Sequence, residues 1–177
     1  MNRTLLLVAL FLVLGGAVWY ALSNKKKQAG THVSWDMDFA VKNTEEIGKI
    51  FIADRKGGTA TLERKGKQWL YNGKYPARPS AIESLLETIS SVNVLNIPPN
   101  GAVPGMIKEL AASGIKVEIY DRDEKRLKTF YIGGVTNDER GTVLMMDGSE
   151  QPYVVHIPGF IGQVRSRFLM GDDEWRD

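Results

Sequence analysis

The residues best suited to chemistry are a few carboxylates and one histidine. Asp36 and Asp38 lie two positions apart, so on a strand both side chains would point to the same side. Carboxylates paired in this way can share a proton or bind a cation. The simpler interpretation, two solvated acids on an exposed edge, is favoured. An acid–base site would also have to gather groups such as Asp54 and His156, and His156 is expected to face outward or fill a polar niche.

Other segments that could resemble ligand sites are better explained as turns. Asp121, Asp123 and Glu124 could hold calcium weakly, but the basic residues interleaved with them would oppose a cation, so a hairpin turn is favoured. The pair Gly133-Gly134 has neither the Walker nor the dinucleotide-binding spacing, which indicates a β-turn or bulge. His32 is expected to be solvated. We therefore predict no catalytic, metal-ligating or cofactor-binding residue and no enzymatic activity.

Aromatic and basic side chains offer a possible interaction surface. Trp69, Tyr71 and Tyr75 could form a stacking surface, yet few basic residues lie between them. A role in the core or on a sheet face is therefore favoured over base stacking. Arg165 and Arg167 could form an interaction patch, although a solvated helix face explains them equally well.

Charge and composition exclude several classes of protein. The chain carries 23 basic and 21 acidic residues; four of the basic ones, Arg3, Lys25, Lys26 and Lys27, precede residue 28, which leaves 19 basic against 21 acidic residues. A part so close to neutral lacks the basic face that nucleic acid binding requires. The chain has no cysteine, which excludes disulfides, thiolate metal sites and cysteine nucleophiles.

The elements that would position these groups follow an apolar stretch at residues 5–22. This stretch contains no charged residue, includes Leu5, Leu12 and Leu22, and carries Trp19 and Tyr20 near its end. As a helix it would span about 27 Å, enough for the hydrocarbon core of a bilayer. Trp and Tyr favour the headgroup level, and three lysines follow. The pattern predicts a transmembrane anchor at residues 1–23.

Two alternatives remain open for this stretch. A cleaved signal peptide would use Arg3 as its charged start and residues 21–23 as the cleavage site. A buried core helix is disfavoured because the stretch is apolar on every face and charged at both ends. The distribution of lysine and arginine does not by itself fix the orientation in the membrane.

Beyond a polar linker at residues 24–34, residues 35–177 are expected to form one domain. Alternating apolar residues and turn signals predict strands at residues 35–41, 49–54, 59–64, 68–71, 115–120, 127–132, 142–146 and 153–157. Most of them are joined as hairpins. The pattern indicates an α+β fold, with two to three helices packed on one face of a mainly antiparallel sheet.

Three segments have helical patterns. In the first, Ser80 is expected to cap the helix with Glu83 as its capping-box partner, and the face containing Leu85 and Ile89 is expected to be buried. The second starts near Pro104, buries Ile107, Leu110 and Ala111, and ends at Gly114 in a left-handed cap. The third is a short helix at residues 160–168, followed by a polar ending.

Several phrases in combination resemble a known family. They are QWLYNGKY at residues 68–75, LLETI at 85–89, IKVEIY at 115–120, YIGG at 131–134, PYVVHIPGF at 152–160 and RF at 167–168. In this order they are similar to the membrane-anchored proteins of the domain of unknown function 4340 family, especially the version found in Bacteroidetes. The resemblance covers residues 45–177.

The resemblance implies an N-terminal anchor and an extracytoplasmic α+β domain, without established catalytic residues. Some relatives are associated with transporter components of the gliding-motility type. Many relatives continue past a Trp-Arg-Asp like that at residues 175–177, so a further strand or a second similar unit can follow.

We therefore expect a single-pass inner-membrane protein with its main domain in the periplasm, acting as an interaction or scaffold module. Its expected partners are the bilayer and other envelope proteins. The alternative is a domain that binds or hydrolyses an envelope glycan, lipid or peptide.

Overall fold

The computed structural model of the protein describes residues 34–160, 162–169 and 171–177. Trp35–Asp177 forms one compact unit. The predicted anchor at residues 1–23 and the predicted linker up to residue 33, including His32, lie outside the described residues. None of the helices in the described part is long and apolar enough to cross a membrane.

Nine strands form one sheet, and all its strand pairs are antiparallel. The strands are β1 (Ile47–Ala53), β2 (Thr59–Lys65), β3 (Gln68–Tyr71), β4 (Tyr75–Pro76), β5 (Asn93–Asn96), β6 (Ile115–Asp121), β7 (Arg126–Val135), β8 (Thr142–Met146) and β9 (Tyr153–His156). The α-helices are α1 (Pro79–Ser91), α2 (Val103–Ser113) and α3 (Asp172–Trp175). The α+β prediction with a mainly antiparallel sheet is confirmed.

The order of the strands in the sheet is β4-β3-β2-β1-β6-β7-β8-β9-β5. Two four-stranded meanders, β1 to β4 and β6 to β9, therefore meet where β1 pairs with β6. Between the meanders, α1 carries the chain from the β4 edge to β5, beside β9. After β9 the chain returns to the β4 edge, where Ala77 and Arg176 form an antiparallel bridge. Strand β5, which follows the first meander in the chain, therefore extends the second meander. The segment that follows the second meander extends the first.

Helix α1 covers the first face of the sheet. Its apolar spacing brings Ile82, Leu85 and Ile89 into the main core, each at most 4% exposed. Opposite them lie alternate residues of the strands, such as Ile50 and Val117, while the residues between them face the other side. The predicted buried face of this helix is confirmed.

The predicted capping box of this helix is wrong. The helix starts at Pro79, whose preset φ suits the first turn. Its N-cap residue is Arg78, with no side-chain cap. The backbone N–H of Arg78 instead donates to the carbonyl oxygen of Trp175, 2.8 Å away. Because this long-range contact fixes the entry to the helix, Ser80 and Glu83 lie inside the first turns.

Helix α2 packs on the second face, so the expectation that all helices lie on one face is wrong. Leu110 is its buried residue, whereas Ile107 is half-buried and Ala111 exposed. A Cβ on Gly133 would come within 3.0 Å of Leu110 and 3.3 Å of Val143. The pair Gly133-Gly134 lies within β7, where the pairing with β8 shifts register between Ile132 and Val135. Of the two predicted alternatives, the bulge is therefore found and the turn is not.

Helix α2 ends without the predicted left-handed cap. Gly114 has φ −64° and ψ 148°, and its N–H donates to the carbonyl oxygen of Leu110. Since β6 begins at the next residue, the chain must extend at once. A Cβ on Gly114 would lie 2.3 Å from that same oxygen, which explains why a glycine is found here.

Residues 35–41 form a turn and an irregular segment, not the predicted strand. Phe39 inserts into the core and makes edge-to-face contacts with Phe130 and Tyr153, at centroid distances of 6.0 and 6.1 Å. The N–H of Val41 donates to the carbonyl oxygen of Ile89. Apolar alternation in this segment reflects side chains that enter the core, while the backbone bonds to α1.

The final segment also differs from the prediction. In place of one helix at residues 160–168, a 3₁₀ turn at Val164–Arg167 is followed, after Gly171, by α3. We call residues 171–177 the tail. Trp175 in the tail is only 1% exposed and belongs to the main core, although the sequence around it is polar.

Gly48 provides a test of the β1–β6 junction, where the register shifts. A Cβ at this position would lie 2.5 Å from the backbone oxygen of Asp121. We expect Gly48→Ala to lower the free energy of unfolding by about 1–3 kcal/mol, because backbone atoms cannot move aside cheaply. Urea unfolding followed by circular dichroism measures this change.

The matched control is Gly105→Ala, which has open space around the new Cβ and lies in exposed helix. This change should raise the free energy of unfolding by about 0.5–1 kcal/mol through helix propensity. A Gly48→Ala variant as stable as the wild type would contradict the close approach at the junction.

Candidate interaction surface

Asp36 and Asp38 do not form a paired site, because each binds a different group. The carboxylate of Asp36 accepts hydrogen bonds from the hydroxyls of Ser149 and Tyr153, at 2.9 and 3.0 Å. Asp38 forms an ion pair with Lys128, at 2.7 Å. Both contacts fasten residues 35–41 to the second meander. Burial, together with the hydrogen bond to Asp36, raises the pKa of Tyr153 to about 12.

The other candidate carboxylates stabilise turns. Asp54 accepts hydrogen bonds from the N–H groups of Lys56 and Gly58. Asp121 does the same for the N–H groups two and four residues later, so the hairpin-turn interpretation of residues 121–124 holds. In the described residues, no group of three or more His, Cys, Asp or Glu side chains could hold a metal ion. Of the carboxylates named for the hydrolase alternative, Asp36 meets Tyr153, whereas Asp38 and Asp54 bind a lysine and a turn elsewhere.

The aromatic residues of the predicted interaction surface serve the fold. Trp69 and Tyr71 are 8% and 3% exposed and belong to the core. The guanidinium of Arg64 stacks on the ring of Trp69 at 4.9 Å. Tyr75 is half-buried, and the guanidinium of Arg176 lies 3.8 Å from its ring centroid. A role in the core, which the sequence favoured over base stacking, is thus found for Trp69 and Tyr71.

Arg165 joins three segments through its guanidinium. Its nitrogens donate to the backbone carbonyls of Ile132 and Gly133, both at 2.9 Å, and of Ser113 at 2.7 Å. The last of these carbonyls closes the end of α2, where cations bind favourably. Arg167 stacks on Phe160 at 4.7 Å. The two arginines therefore make different contacts within the protein.

The uncovered part of the second sheet face carries a ladder of paired charges. Glu118 accepts hydrogen bonds from the ammonium of Lys116 and the hydroxyl of Tyr120, each at 2.7 Å. These bonds, that of Lys116 first, lower the pKa of Glu118. The bond to Glu118 in turn raises the pKa values of Lys116 and Tyr120. These contacts therefore stabilise the ionised forms of Lys116 and Glu118 and the neutral form of Tyr120.

Strand β5 lies at the edge of the sheet, so one side of its backbone has no neighbouring strand, and apolar side chains are exposed there. It is the outermost strand beside β9, and a register shift between Val94 and Asn96 interrupts their pairing. Leu95 at the shift is 41% exposed, and Ile97 just after the strand is 60% exposed. Edge strands offer unpaired N–H and C=O groups to other chains. Two exposed apolar residues on such an edge form a candidate interaction surface, the β5 edge.

A cavity of about 550 Å³ adjoins the β5 edge. Its lining combines apolar, cationic and acidic side chains: Leu95, Asp138, Glu139, Arg140, His156, Phe160, Gly162 and Gln163. His156 is half-buried, which agrees with the predicted polar niche. The hydroxyl of Thr136 donates to Asp138 and lowers the pKa of its carboxyl. The cavity could accept an apolar side chain together with a polar group of a partner.

The sequence analysis did not predict the β5 edge. The stretch NVLNIPPN at residues 93–100 contains alternating apolar residues before a proline pair, and proline ends the ability of a strand to pair. This pattern could have indicated a short edge strand, but its position at the outside of the sheet depends on the crossover of α1.

No family model matches the chain, and no significant match is found among curated proteins or solved structures. The resemblance to the domain of unknown function 4340 family therefore stays a prediction.

Tyr153 should make stability depend on pH at alkaline values. Its pKa is about 12 in the folded protein against about 10 in an unfolded chain. Between these values the unfolded chain loses the phenolic proton and the folded protein keeps it, so stability falls as pH rises. The stability difference between the wild type and Tyr153→Phe should therefore shrink from pH 10 to pH 12 in urea titrations.

The control for this measurement is Phe39→Leu, which changes a ring next to Tyr153 without altering a titratable group. Its stability difference from the wild type should stay constant over the same pH range. A difference that is equally constant for Tyr153→Phe would show that burial does not hold the proton on this phenol.

Arg165 should matter more for stability than Arg167. Arg165→Met keeps most of the apolar stem but removes three charge-assisted hydrogen bonds, so we expect a loss of about 2–4 kcal/mol in the free energy of unfolding. Arg167→Met removes the stacking on Phe160 and should lower it by about 0.5–1 kcal/mol. Thermal and urea unfolding compare the two variants, and equal losses would refute the distinction.

Proposed function

We propose that this protein is a membrane-tethered interaction module of a cell envelope, with its α+β domain outside the cytoplasm. The apolar stretch at residues 5–22 and the resemblance to a family of anchored proteins support the tether. A module held at a membrane meets neighbouring membrane proteins at a high effective concentration, so a modest interface suffices. Its partner would be another envelope protein, for example a component of a transporter of the gliding-motility type.

The observation that carries the proposal is the β5 edge. Leu95 on the outermost strand and Ile97 just after that strand are both exposed, and Leu95 lines a cavity that can accept a partner side chain. Large apolar groups exposed in this way mark interaction sites when they cluster. Because Leu95 is 41% and Ile97 60% exposed, burying the exposed part of each against a partner would contribute about 1 kcal/mol, and each 1.4 kcal/mol changes affinity about tenfold.

The acidic and basic groups of the described residues support binding rather than catalysis. Asp36, Asp38 and Glu118 each bind neighbours within the fold, and these contacts hold segments together. A catalytic site would need a base or nucleophile placed in a cavity beside space for a substrate. His156 lines a cavity, but the acids beside it stand on the exposed loop at residues 138–139. The binding function is therefore favoured over the hydrolase alternative.

The test is extraction of the full chain in mild detergent, with a tag joined to Asp177 by a flexible linker, and mass spectrometry of co-purifying proteins. We expect a stoichiometric membrane protein with the wild type. The double variant Leu95→Ser/Ile97→Ser should reduce its yield at least tenfold. Peptides from residues 1–23 in the purified chain would identify a retained anchor, and their absence would identify a cleaved signal peptide.

The matched control is Leu169→Ser, because Leu169 is also a large exposed apolar residue, at 45%, but lies outside the β5 edge. This variant should retain the partner at the level of the wild type. Retention of the partner by the double variant would remove the β5 edge from the proposal. Purification of the wild type without any stoichiometric partner in several detergents would contradict the interaction function itself.

A further inference from the structure

Trp35 is the most exposed of the large apolar residues in the described part of the chain. It lies in a turn and is 62% exposed. Its ring is found beside the turn between β8 and β9, since a Cβ on Gly148 would come within 4.0 Å of the indole. The fold buries the aromatic residues that it uses for packing, such as Phe39 and Trp175. Packing within the fold therefore does not account for a tryptophan at this position.

Charged side chains surround Trp35 without giving its surroundings a net charge. Arg126, Lys128 and Asp147 line an open cavity of about 270 Å³ together with Trp35 and apolar side chains of β7 and β8. Arg126 is exposed, and Lys128 is paired with Asp38, so two cations stand beside two carboxylates. We call Trp35, Arg126, Lys128 and Asp147 the Trp35 patch. Its distinguishing feature is the aromatic ring and not a net charge.

The position of Trp35 in the sequence limits its distance from a bilayer. Only residues 24–34 separate it from the predicted anchor, which ends at residue 23. A chain from residue 23 to residue 35 spans at most about 40 Å, even when it is fully extended. If residues 1–23 cross the bilayer, the side of the domain that carries Trp35 is held near the membrane surface.

We propose that the Trp35 patch is a docking surface for the bilayer, with the indole ring at the level of the lipid headgroups. This inference rests on the tether of the proposed function. Indole combines a large apolar ring with one N–H donor, and tryptophan is enriched at the membrane–water interface for this reason. One such side chain would hold a free domain only weakly, but a short tether makes the contact intramolecular, at an effective concentration on the order of millimolar.

Docking through Trp35 determines which end of the domain faces the solvent. Strand β7 begins at Arg126 in the patch and has ten residues, which span about 33 Å. The loop from β7 to β8 carries residues 138–140, which line the cavity at the β5 edge. That cavity therefore lies at the far end of β7 from the patch, directed away from the bilayer. A partner at the β5 edge would then approach the domain from the solvent side.

Site-specific fluorescence quenching tests the docking, because the chain has no cysteine of its own. Glu150→Cys places a bimane label in the turn beside Trp35, and Asn137→Cys places it in the loop at the far end of β7. Both positions are exposed. The full chain is reconstituted in phosphatidylcholine nanodiscs that contain a lipid with a nitroxide on its headgroup. We expect quenching at position 150 to be at least five times stronger than at position 137.

Substitutions of Trp35 test whether the ring makes the contact. Trp35→Ser should lower the quenching at position 150 at least threefold, and Trp35→Tyr, which keeps an amphipathic ring, should retain most of it. The matched control is Ile97→Ser, because Ile97 is 60% exposed but lies at the β5 edge, and this variant should be quenched like the wild type. Since the charges of the patch balance, added anionic lipid or salt should change the quenching less than twofold.

Three results would overturn the docking in a chain that retains residues 1–23. They are equal quenching at positions 137 and 150, a loss of quenching with Ile97→Ser in place of Trp35→Ser, and quenching that requires anionic lipid. Each of them leaves the tether intact. Mass spectrometry of the intact chain gives its N-terminus, and a chain that lacks residues 1–23 would contradict the tether of the proposed function and, with it, this inference.

Discussion

The antiparallel pairing of β1 with β6 holds the two meanders in one sheet, and the remaining architecture depends on it. Ile50 lies opposite Ile119 and Ile52 opposite Val117, and all four are at most 4% exposed. Cross-strand pairs of β-branched residues stabilise a sheet by packing as well as by backbone bonds. The strands come from segments more than sixty residues apart, so loop entropy opposes their pairing and burial of this apolar row has to offset it.

This central pairing determines what happens at the two edges. With the meanders joined at their first strands, their last strands, β4 and β9, lie far apart in the sheet. The segments that follow them cross over, so that β5 covers β9 and the tail covers β4. The two edges are protected differently. A buried tryptophan secures the tail, whereas β5 is a short, interrupted strand with Leu95 and Ile97 exposed.

Several polar residues make contacts that stabilise the fold. Arg165 binds carbonyls of two elements, Asp36 fastens the entry segment, and Glu118 neutralises a lysine on the open sheet face. Satisfying buried or half-buried polar groups in this way avoids their desolvation penalty. The carboxylates and the arginine that look reactive in the sequence thus have partners within the described part of the fold.

Local patterns in the sequence determined most of the elements, but not how they meet. Alternation identified the strands at residues 115–120 and 153–157, and three-four spacing identified the buried face of α1, because both signals arise within one element. Helix starts were less certain: Ser80 and Glu83 fit a capping box, yet a bond from Arg78 to the distant Trp175 fixed the start at Pro79.

Only the tertiary structure decided which residues form a surface. Trp69, Tyr71 and Arg165 had the composition of an interaction patch, but Trp69 and Tyr71 are buried and Arg165 is hydrogen-bonded within the protein. Trp175 is buried although the residues around it in the sequence are polar. Leu95 and Ile97 lie in a stretch for which the sequence predicted no element, and they are exposed on the outermost strand and just after it. Burial depends on the order of strands in the sheet, and that order follows from pairings between distant segments. The sequence by itself therefore determined the α+β class and the periodic elements, whereas long-range pairing decided the edges of the sheet, the core position of the tail and which apolar side chains stay exposed.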